Sequence, residues 1–356
     1  MSSTDSSIGI LSWDFNPPKG GMGRAMQWMR NALSQGGHTV SVGDRIVPAL
    51  FRRGGHLMFS MLLPFVLGSW IRTQKIRFLI VPSGPGGVFL LLRPRARIIS
   101  IAYHTYAQQS RLVPGQWWKR LFIPFERRTF HMADAVLCFC EDTRRVLISD
   151  YGMNEQRIRL LPHAVDAELP VGVSKQSGLC VCVARCEARK GINVLLRAWP
   201  RVIAQIPTAR CVIVGDGILA PNIDHEIARL GPSVSRIPSL ERAALLSLVA
   251  SADLAISPAY LEGFGLAAAE AMSLGTTVIA GKTDGLQSLI QDNETGVLFS
   301  AGDAGALALQ IIRALRDEAL RNRLSRNAAS AARAFSREHA DVHFVGAIRE
   351  IVATAS

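Results

Sequence analysis

The chain alternates short, wholly apolar runs with longer segments whose apolar positions recur at helical spacing. "SIGILSW", "HTVSVGD", "FLIVPS", "RIISIAY" and "AVLCFC" are the strand-like runs of the first half. "GRAMQWMRNALSQGG" reads as a helix closed by glycines. The second half repeats the pattern with "GLCVCVAR", "NVLLRAWPRVIAQI", "ARCVIVGDG", "ADLAISPA", "TTVIAG" and "GVLFS". Runs that are apolar throughout, rather than alternating, predict strands covered by helices on both faces, hence parallel sheets. "LPHAVDAELPVGVSKQSG", rich in Pro, Gly and Ser, reads as a linker. The expectation is two α/β domains in tandem, the first over residues 1–168, with ligands at the C-terminal ends of the strands and a cleft between the sheets.

Composition supports this division. A chain of 356 residues, 49% hydrophobic and 19% charged, suits two cored domains. The six cysteines, at 138, 140, 180, 182, 186 and 211, lie mostly within strand-like runs and form no C-x-x-C pair, so they read as buried thiols in a reducing compartment rather than a zinc site or disulfide framework. "MSSTDSSIGILSW" has no basic region before its apolar run and reads as a first strand, not a signal peptide. Residues 1–170 carry 21 Lys and Arg against 11 Asp and Glu, whereas 171–356 carry 19 against 17. The basicity therefore sits in the first half, and so should any anionic partner.

Two segments in that half bear on membranes. Gly54 to Ile71 has 18 residues without Lys, Arg, Asp or Glu but includes Pro64, a short stretch for a bilayer span. A core helix and a helix lying on a membrane surface are the other readings. "PGQWWKRLFIPFERR" interleaves Trp117, Trp118, Phe122 and Phe125 with Lys119, Arg120, Arg127 and Arg128, as a membrane interface favours. Together they favour peripheral contact with an anionic membrane surface. No nucleic-acid motif accompanies the charge.

Three stretches carry chemistry. "PPKGGMGRAM" places Gly20, Gly21 and Gly23 in a flexible turn at a helix start, where free N–H groups favour an anion. It is not a dinucleotide fingerprint. In "VARCEARKG", Arg185 and Lys190 leave a strand and precede a helix, an adverse placement for the dipole unless an anion lies between them. In "SPAYLEGFGLAAAEAMSLGTTVIAG", Glu262 falls in a loop and Glu270 in the following helix. Gly263 and Gly265 allow close backbone approach, and Phe264, Gly265 and Leu266 present N–H groups at the helix start. Two carboxylates flanking an anion-binding turn suit a ligand with hydroxyls at two places and charge between, such as a nucleotide sugar.

Taken in order with "CVIVGDG", "DGLQSLIQDNETGVLF", "GGMGR", "ERRTFHMADAVLCFCEDTRRVLISDYG" and "LLPHAVD", these motifs resemble the retaining family 4 glycosyltransferases of GT-B fold, over nearly the whole chain. The resemblance implies two Rossmann-like domains, 1–168 for the acceptor and 169–335 for the nucleotide sugar, with a helix in 336–356 returning to the first. It also implies roles. Arg185 and Lys190 match the pair that holds the donor diphosphate, and Glu270 the ribose-binding position. Glu262 matches the position beside the donor sugar's hydroxyls and reacting carbon, while Gly263, Phe264, Gly265 and Leu266 match its backbone contacts. Gly21 and Gly23 match the loop that closes on the diphosphate, and His104, in "IAYHTY", the histidine that reaches the donor sugar. The sequence departs at His163, commonly Asn; Thr277, frequently Pro; Cys140, commonly Ser; and Pro238, near a usual Gly.

The implied activity is glycosyl transfer from a nucleoside diphosphate sugar to a hydroxyl, with retention. No D-x-D pattern suggests a divalent ion, and no cofactor is expected. Same-face attack needs no carboxylate nucleophile, whereas double displacement would make Glu262 the first suspect. The basic first half favours a lipid-linked or membrane-proximal glycan acceptor at the cytoplasmic face. The alternatives are a small soluble acceptor or a silent sugar-nucleotide-binding protein.

Overall fold

The computed structural model describes residues 7–13, 15, 20–48, 55–168 and 170–354; Pro17–Lys19 and Gly54, named above, lie outside them. The chain divides into two compact units. Unit 1 comprises Met1–Arg111, Gly115–Ala164 and Arg337–Ser356, and unit 2 comprises Leu112–Pro114 and Val165–Ser336.

Unit 1 runs β1 (Ile8–Leu11), α1 (Gly20–Gln35), β2 (Val40–Gly43), α2 (Gly55–Thr73), β3 (Phe78–Ser83), β4 (Arg97–Ala102), α3 (Tyr106–Leu112), a 3₁₀ turn (Trp117–Phe122), α4 (Ile123–Met132), β5 (Ala135–Cys138), α5 (Glu141–Ser149) and β6 (Ile158–Leu160). All pairings in its sheet are parallel, in the order β2-β1-β3-β4-β5-β6. Strands β1, β3 and β5 are buried along their whole length, as their unbroken apolar pattern predicts. Between β3 and β4 the described chain forms no helix; an irregular 84–96 segment makes the crossover.

Unit 2 runs β7 (Gln176–Val183), α6 (Ile192–Gln205), β8 (Arg210–Val214), α7 (Ala220–Leu230), β9 (Val234–Ile237), α8 (Arg242–Ser251), β10 (Ala252–Ser257), α9 (Leu266–Ser273), β11 (Thr277–Gly281), α10 (Asp284–Gln287), β12 (Val297–Phe299), α11 (Ala304–Arg316) and α12 (Glu318–Ala332). Its parallel sheet has the order β12-β11-β10-β7-β8-β9. In α6, Ile192, Leu195, Leu196, Trp199 and Val202 recur at helical spacing and are buried against Cys180, Cys182, Cys211, Ile213 and Leu254. All six cysteines are buried thiols outside any disulfide, and Cys138, Cys180, Cys182 and Cys211 take the strand positions expected of them.

The final helix, α13 (Arg337–Ala353), belongs to unit 1. There Trp28 Nε1 donates to Asp341 Oδ1, Arg349 to the Gly36 carbonyl, and Phe344 packs on the Trp28 ring.

One sequence expectation changes, and one of the three readings of Gly54 to Ile71 is excluded. Gly20, Gly21 and Gly23 form the first turn of α1 itself rather than a turn before it. Glycine costs a helix roughly 1 kcal/mol per residue, which is why the sequence pattern pointed to a later start. Residues 117–122 form a 3₁₀ turn, and Pro124 takes an early position in the α4 that follows. Helix α2 is too short or too polar to span: no described helix is long and apolar enough to cross a membrane.

Candidate functional site

In each sheet the strand order reverses at one point, and ligands in open parallel sheets bind beyond the strand ends there. In unit 2 that point lies between β7 and β10. The loop after β7 carries Arg185, Glu187, Arg189 and Lys190; the loop after β10 carries Glu262, with Glu270 following in α9.

Two backbone devices bring these loops together. The Tyr260 N–H donates to the Arg189 carbonyl at 2.9 Å. Gly191 ends the 3₁₀ turn Ala188–Lys190 with φ +64°, and a Cβ there would sit 2.0 Å from the Pro258 carbonyl oxygen. Only glycine allows that approach. Gly265 likewise starts α9 at φ +94°, where a Cβ would meet Leu286 Cδ2 at 2.7 Å.

The side chains then form a compact charge cluster. Lys190 Nζ donates to Glu262 Oε1. Arg189 Nη1 stands 3.7 Å from Glu262 Oε2, and Arg189 Nε 3.4 Å from Glu187 Oε2. Arg185 Nη1 pairs with Glu187 Oε1 at 2.7 Å. The cations expected to face a ligand anion thus have protein carboxylates between them. Three cations share two carboxylates, so the cluster keeps one surplus positive charge.

The pKa directions follow from that imbalance. Burial, then Arg189, lowers the Lys190 amine to about 8, with Glu262 opposing. Burial raises the Glu262 carboxyl, but Lys190 and Arg189 outweigh it and hold it below the usual range. Glu262 is therefore ionised at neutral pH, and Lys190 is the member poised to lose its charge in mild alkali.

Glu270 is buried in α9 and pairs with Arg242 Nη2 at 2.9 Å. The same guanidinium donates to the Asp166 carbonyl, and its Nη1 has no hydrogen-bond partner among the described residues. The Phe264 ring packs edge-on against Phe335, leaving that residue's backbone to line the α9 start.

In unit 1, Gly21 and Gly23 lie in α1 after β1, and His104 lies just beyond β4, buried. What holds His104 was not legible. Glu126, fully buried on α4, accepts the Tyr106 N–H at 2.9 Å and the Tyr151 hydroxyl. It thereby anchors α3 two residues after His104. Tyr103 donates its hydroxyl to His163 Nε2 at 3.0 Å, since His163 Nδ1 must donate to the Ala164 carbonyl at 2.9 Å. The departure at His163 is thus a buried, neutral ring, its pKa pushed by burial to about 4, packed in tilted contacts with Trp28, Tyr103 and Phe139. Cys140, where Ser is common, precedes α5 without capping it.

Burial pushes Glu126 up to about 8, so the folded chain retains a proton that the unfolded chain releases near the ordinary carboxyl value of 4.5. Its contribution to stability is complete below 4.5 and is lost as pH rises through about 8. Denaturant melts should show stability falling over that window, and Glu126→Gln should flatten the fall; an unchanged slope in the variant would refute the assignment.

Sequence reasoning missed Glu187, Arg189, Arg242 and Glu126. Arg189 sits inside a motif it singled out, but nothing in the spacing marks a buried arginine. Among the described residues no group of three or more His, Cys, Asp or Glu side chains could hold a metal ion.

Two parallel α/β sheets with charged loops at a switch point define the architecture of the two-domain, GT-B glycosyltransferases. The profile described as "Glycosyl transferases group 1" matches residues 170–331, and that described as "Glycosyltransferase Family 4" matches 19–169, so the chain belongs to the family 4, group 1 glycosyltransferases. It is 28% identical over 242 residues to a D-inositol 3-phosphate glycosyltransferase of Nocardioides sp., covering 60% of this chain and 53% of that protein. Against the Mycobacterium bovis protein of the same name it is 30% identical over 209 residues, 54% and 43% of the two chains. The chain thus spans about half the length of the curated relatives it matches.

The fold is shared with sucrose-phosphate synthase from Thermosynechococcus elongatus (TM-score 0.82, 20% identity, 98% and 100% coverage). It is also shared with WaaG, a glycosyltransferase of lipopolysaccharide biosynthesis (0.75, 19%, 94% and 99%). Anabaena HepE, solved with UDP and glucose, has the same fold (0.71, 17%, 98% and 100%).

Proposed function

We propose that the chain transfers a hexosyl-type group from a nucleoside diphosphate sugar to a hydroxyl acceptor, with retention of configuration. The observation that carries this reading is the surplus-cation cluster of Arg185, Arg189 and Lys190 beside Glu262 at the unit 2 switch point. A diphosphate supplies the anion the cluster is short of. As it arrives, Lys190 and Arg185 turn from carboxylate to phosphate oxygens, which leaves Glu262 to accept hydroxyls of the donor sugar. When the glycosyl bond breaks, negative charge grows on the departing phosphate. Fixed cations and the N–H groups at the α9 start stabilise that charge more than they stabilise the intact donor. In this reading Glu270, released from Arg242, accepts the ribose hydroxyls.

The mechanism needs no divalent ion and no cofactor, so chelator should leave turnover unchanged. Two acceptor classes are supported by different observations. The relatives' names specify inositol 3-phosphate, a small acceptor. The basic, apolar-surfaced unit 1 favours a lipid-linked or membrane-proximal glycan at the inner face of the cytoplasmic membrane, and this is the reading we adopt. The test is nucleoside diphosphate release from a panel of nucleotide sugars, with and without acceptors of each class and with the product anomer read by NMR. Arg185→Ala should lose nearly all release. Release by no sugar nucleotide, or an inverted anomer, would overturn the proposal.

A further inference from the structure

Nine of the fourteen exposed large hydrophobic side chains among the described residues fall between Leu57 and Phe125. Six of them, Met61, Phe65, Leu92, Trp117, Leu121 and Phe125, are 47% to 81% exposed. Leu57, Met61 and Phe65 form one row at four-residue spacing on α2; a second exposed row, Trp117, Leu121 and Phe125, follows the chain through the 3₁₀ turn into α4.

Segment 89–93 ties the rows into one surface. The Phe89 N–H donates to Ser60 Oγ of α2, the Leu90 N–H to Thr129 Oγ1 of α4, and Arg128 to the Leu91 carbonyl. Leu92, in the same segment, is exposed. Helices that precede a strand of a parallel sheet run against it, so the first halves of α2 and α4 lie at the strands' C-terminal end. His104 lies at that same end of unit 1.

The sequence bearing this face is basic, although Arg93 and Arg97 pair with Asp134 and Arg111 with Asp150. From Asp44 to Glu126 the sequence contains no acidic residue and twelve basic ones: Arg45, Arg52, Arg53, Arg72, Lys75, Arg77, Arg93, Arg95, Arg97, Arg111, Lys119 and Arg120. Glu126 itself is buried. Cations stand directly beside the exposed rings, with Lys119 Nζ 4.4 Å from the Trp118 centroid and Arg120 5.2 Å from that of Trp117. The opposite side of α2, with Phe59, Leu63, Leu67 and Ile71, is buried in the core, so the helix cannot leave the fold to span.

We propose that this face docks the protein on an anionic lipid bilayer, with the two apolar rows entering the interface and the arginines and lysines meeting headgroup phosphates. Exposed aromatics with cations directly beside them match the chemistry of such a surface, which combines apolar depth with negative charge. The proposal deepens the membrane-proximal acceptor reading above, yet docking is measured without any sugar.

The experiment is vesicle sedimentation of the full chain with phosphatidylcholine alone and with added phosphatidylglycerol. Binding is expected only to the anionic vesicles and should weaken as salt is raised. Phe65→Ser/Leu121→Ser should lower the partition constant by roughly tenfold or more through lost apolar burial, with an unchanged thermal midpoint because both side chains are exposed. Arg120→Gln, which touches no core residue, provides a second variant and should weaken binding at low salt only. Four results would overturn the proposal: no binding at low salt, equal binding to neutral vesicles, undiminished binding by both variants, or a wild-type dimer that the double variant converts to monomer. Diphosphate release on the same preparations separates the two readings. Release without vesicle binding sinks docking alone, and vesicle binding without release from any donor sinks glycosyl transfer alone.

Discussion

Replacing Lys190 with Ala is expected to lower nucleoside diphosphate release by on the order of 10²- to 10³-fold, the scale of removing one preorganised charge from a developing anion. The fold should survive, because Arg189 remains 3.7 Å from Glu262 and keeps that buried carboxylate paired. Glu262→Ala behaves differently: it leaves Arg189 and Lys190 facing each other without their shared anion, and should lower stability as well as rate. A pH profile separates charge from shape. With the Lys190 amine lowered to about 8, the donor KM should rise as pH passes that value, since a neutral amine no longer attracts phosphate. Lys190→Arg, charged throughout, should abolish this rise. Full activity in Lys190→Ala would remove the residue from the site.

Gly191→Ala should be among the most damaging small substitutions in unit 2. Its backbone is left-handed, and the added Cβ would lie 2.0 Å from a main-chain oxygen that cannot swing away. A loss on the order of 3 kcal/mol is expected, against about 1–2 kcal/mol for the left-handed conformation alone. Gly275→Ala is the matched control, with the same φ of +64° and open space around it. Calorimetric melts should show a clearly larger drop for Gly191→Ala. Its turnover should fall too, because the loop bearing Lys190 is displaced from the loop bearing Glu262. Equal drops for the two variants would mean the close approach to Pro258 costs nothing.

Much of this architecture was legible because buried parallel strands leave unbroken apolar runs, as in Phe78–Ser83 and Ala252–Ser257. The short strands Ile158–Leu160 and Val234–Ile237 were not read as strands, being partly exposed and too brief to carry a pattern. Helix α2 drew three readings, span, core or membrane surface, and the structure shows why the last two competed: one side is buried and the other bears Met61 and Phe65. Among site residues, Arg185, Lys190, Glu262 and Glu270 stood out by type and by position after strands. Their partners did not. Lys190 meets Glu262 across 72 residues because β7 and β10 are neighbours in the sheet, and Arg242 meets Glu270 from the helix before β10. Such pairings follow from strand order, which spacing along the chain does not encode. Glu126 was hidden differently: amid basic and aromatic neighbours it reads as one more surface charge, yet it shares the buried side of α4 with Thr129 and Phe130.

The central claim is that the switch-point cluster of unit 2 holds a nucleoside diphosphate by its phosphates and ribose. Titration calorimetry of the full chain with a set of nucleoside diphosphates and the matching nucleosides tests this most directly. One diphosphate should bind the wild type, its nucleoside should bind far more weakly, and both Lys190→Ala and Glu270→Ala should lose most of the affinity. Equal binding of nucleoside and diphosphate, or unchanged affinity in both variants, would contradict it.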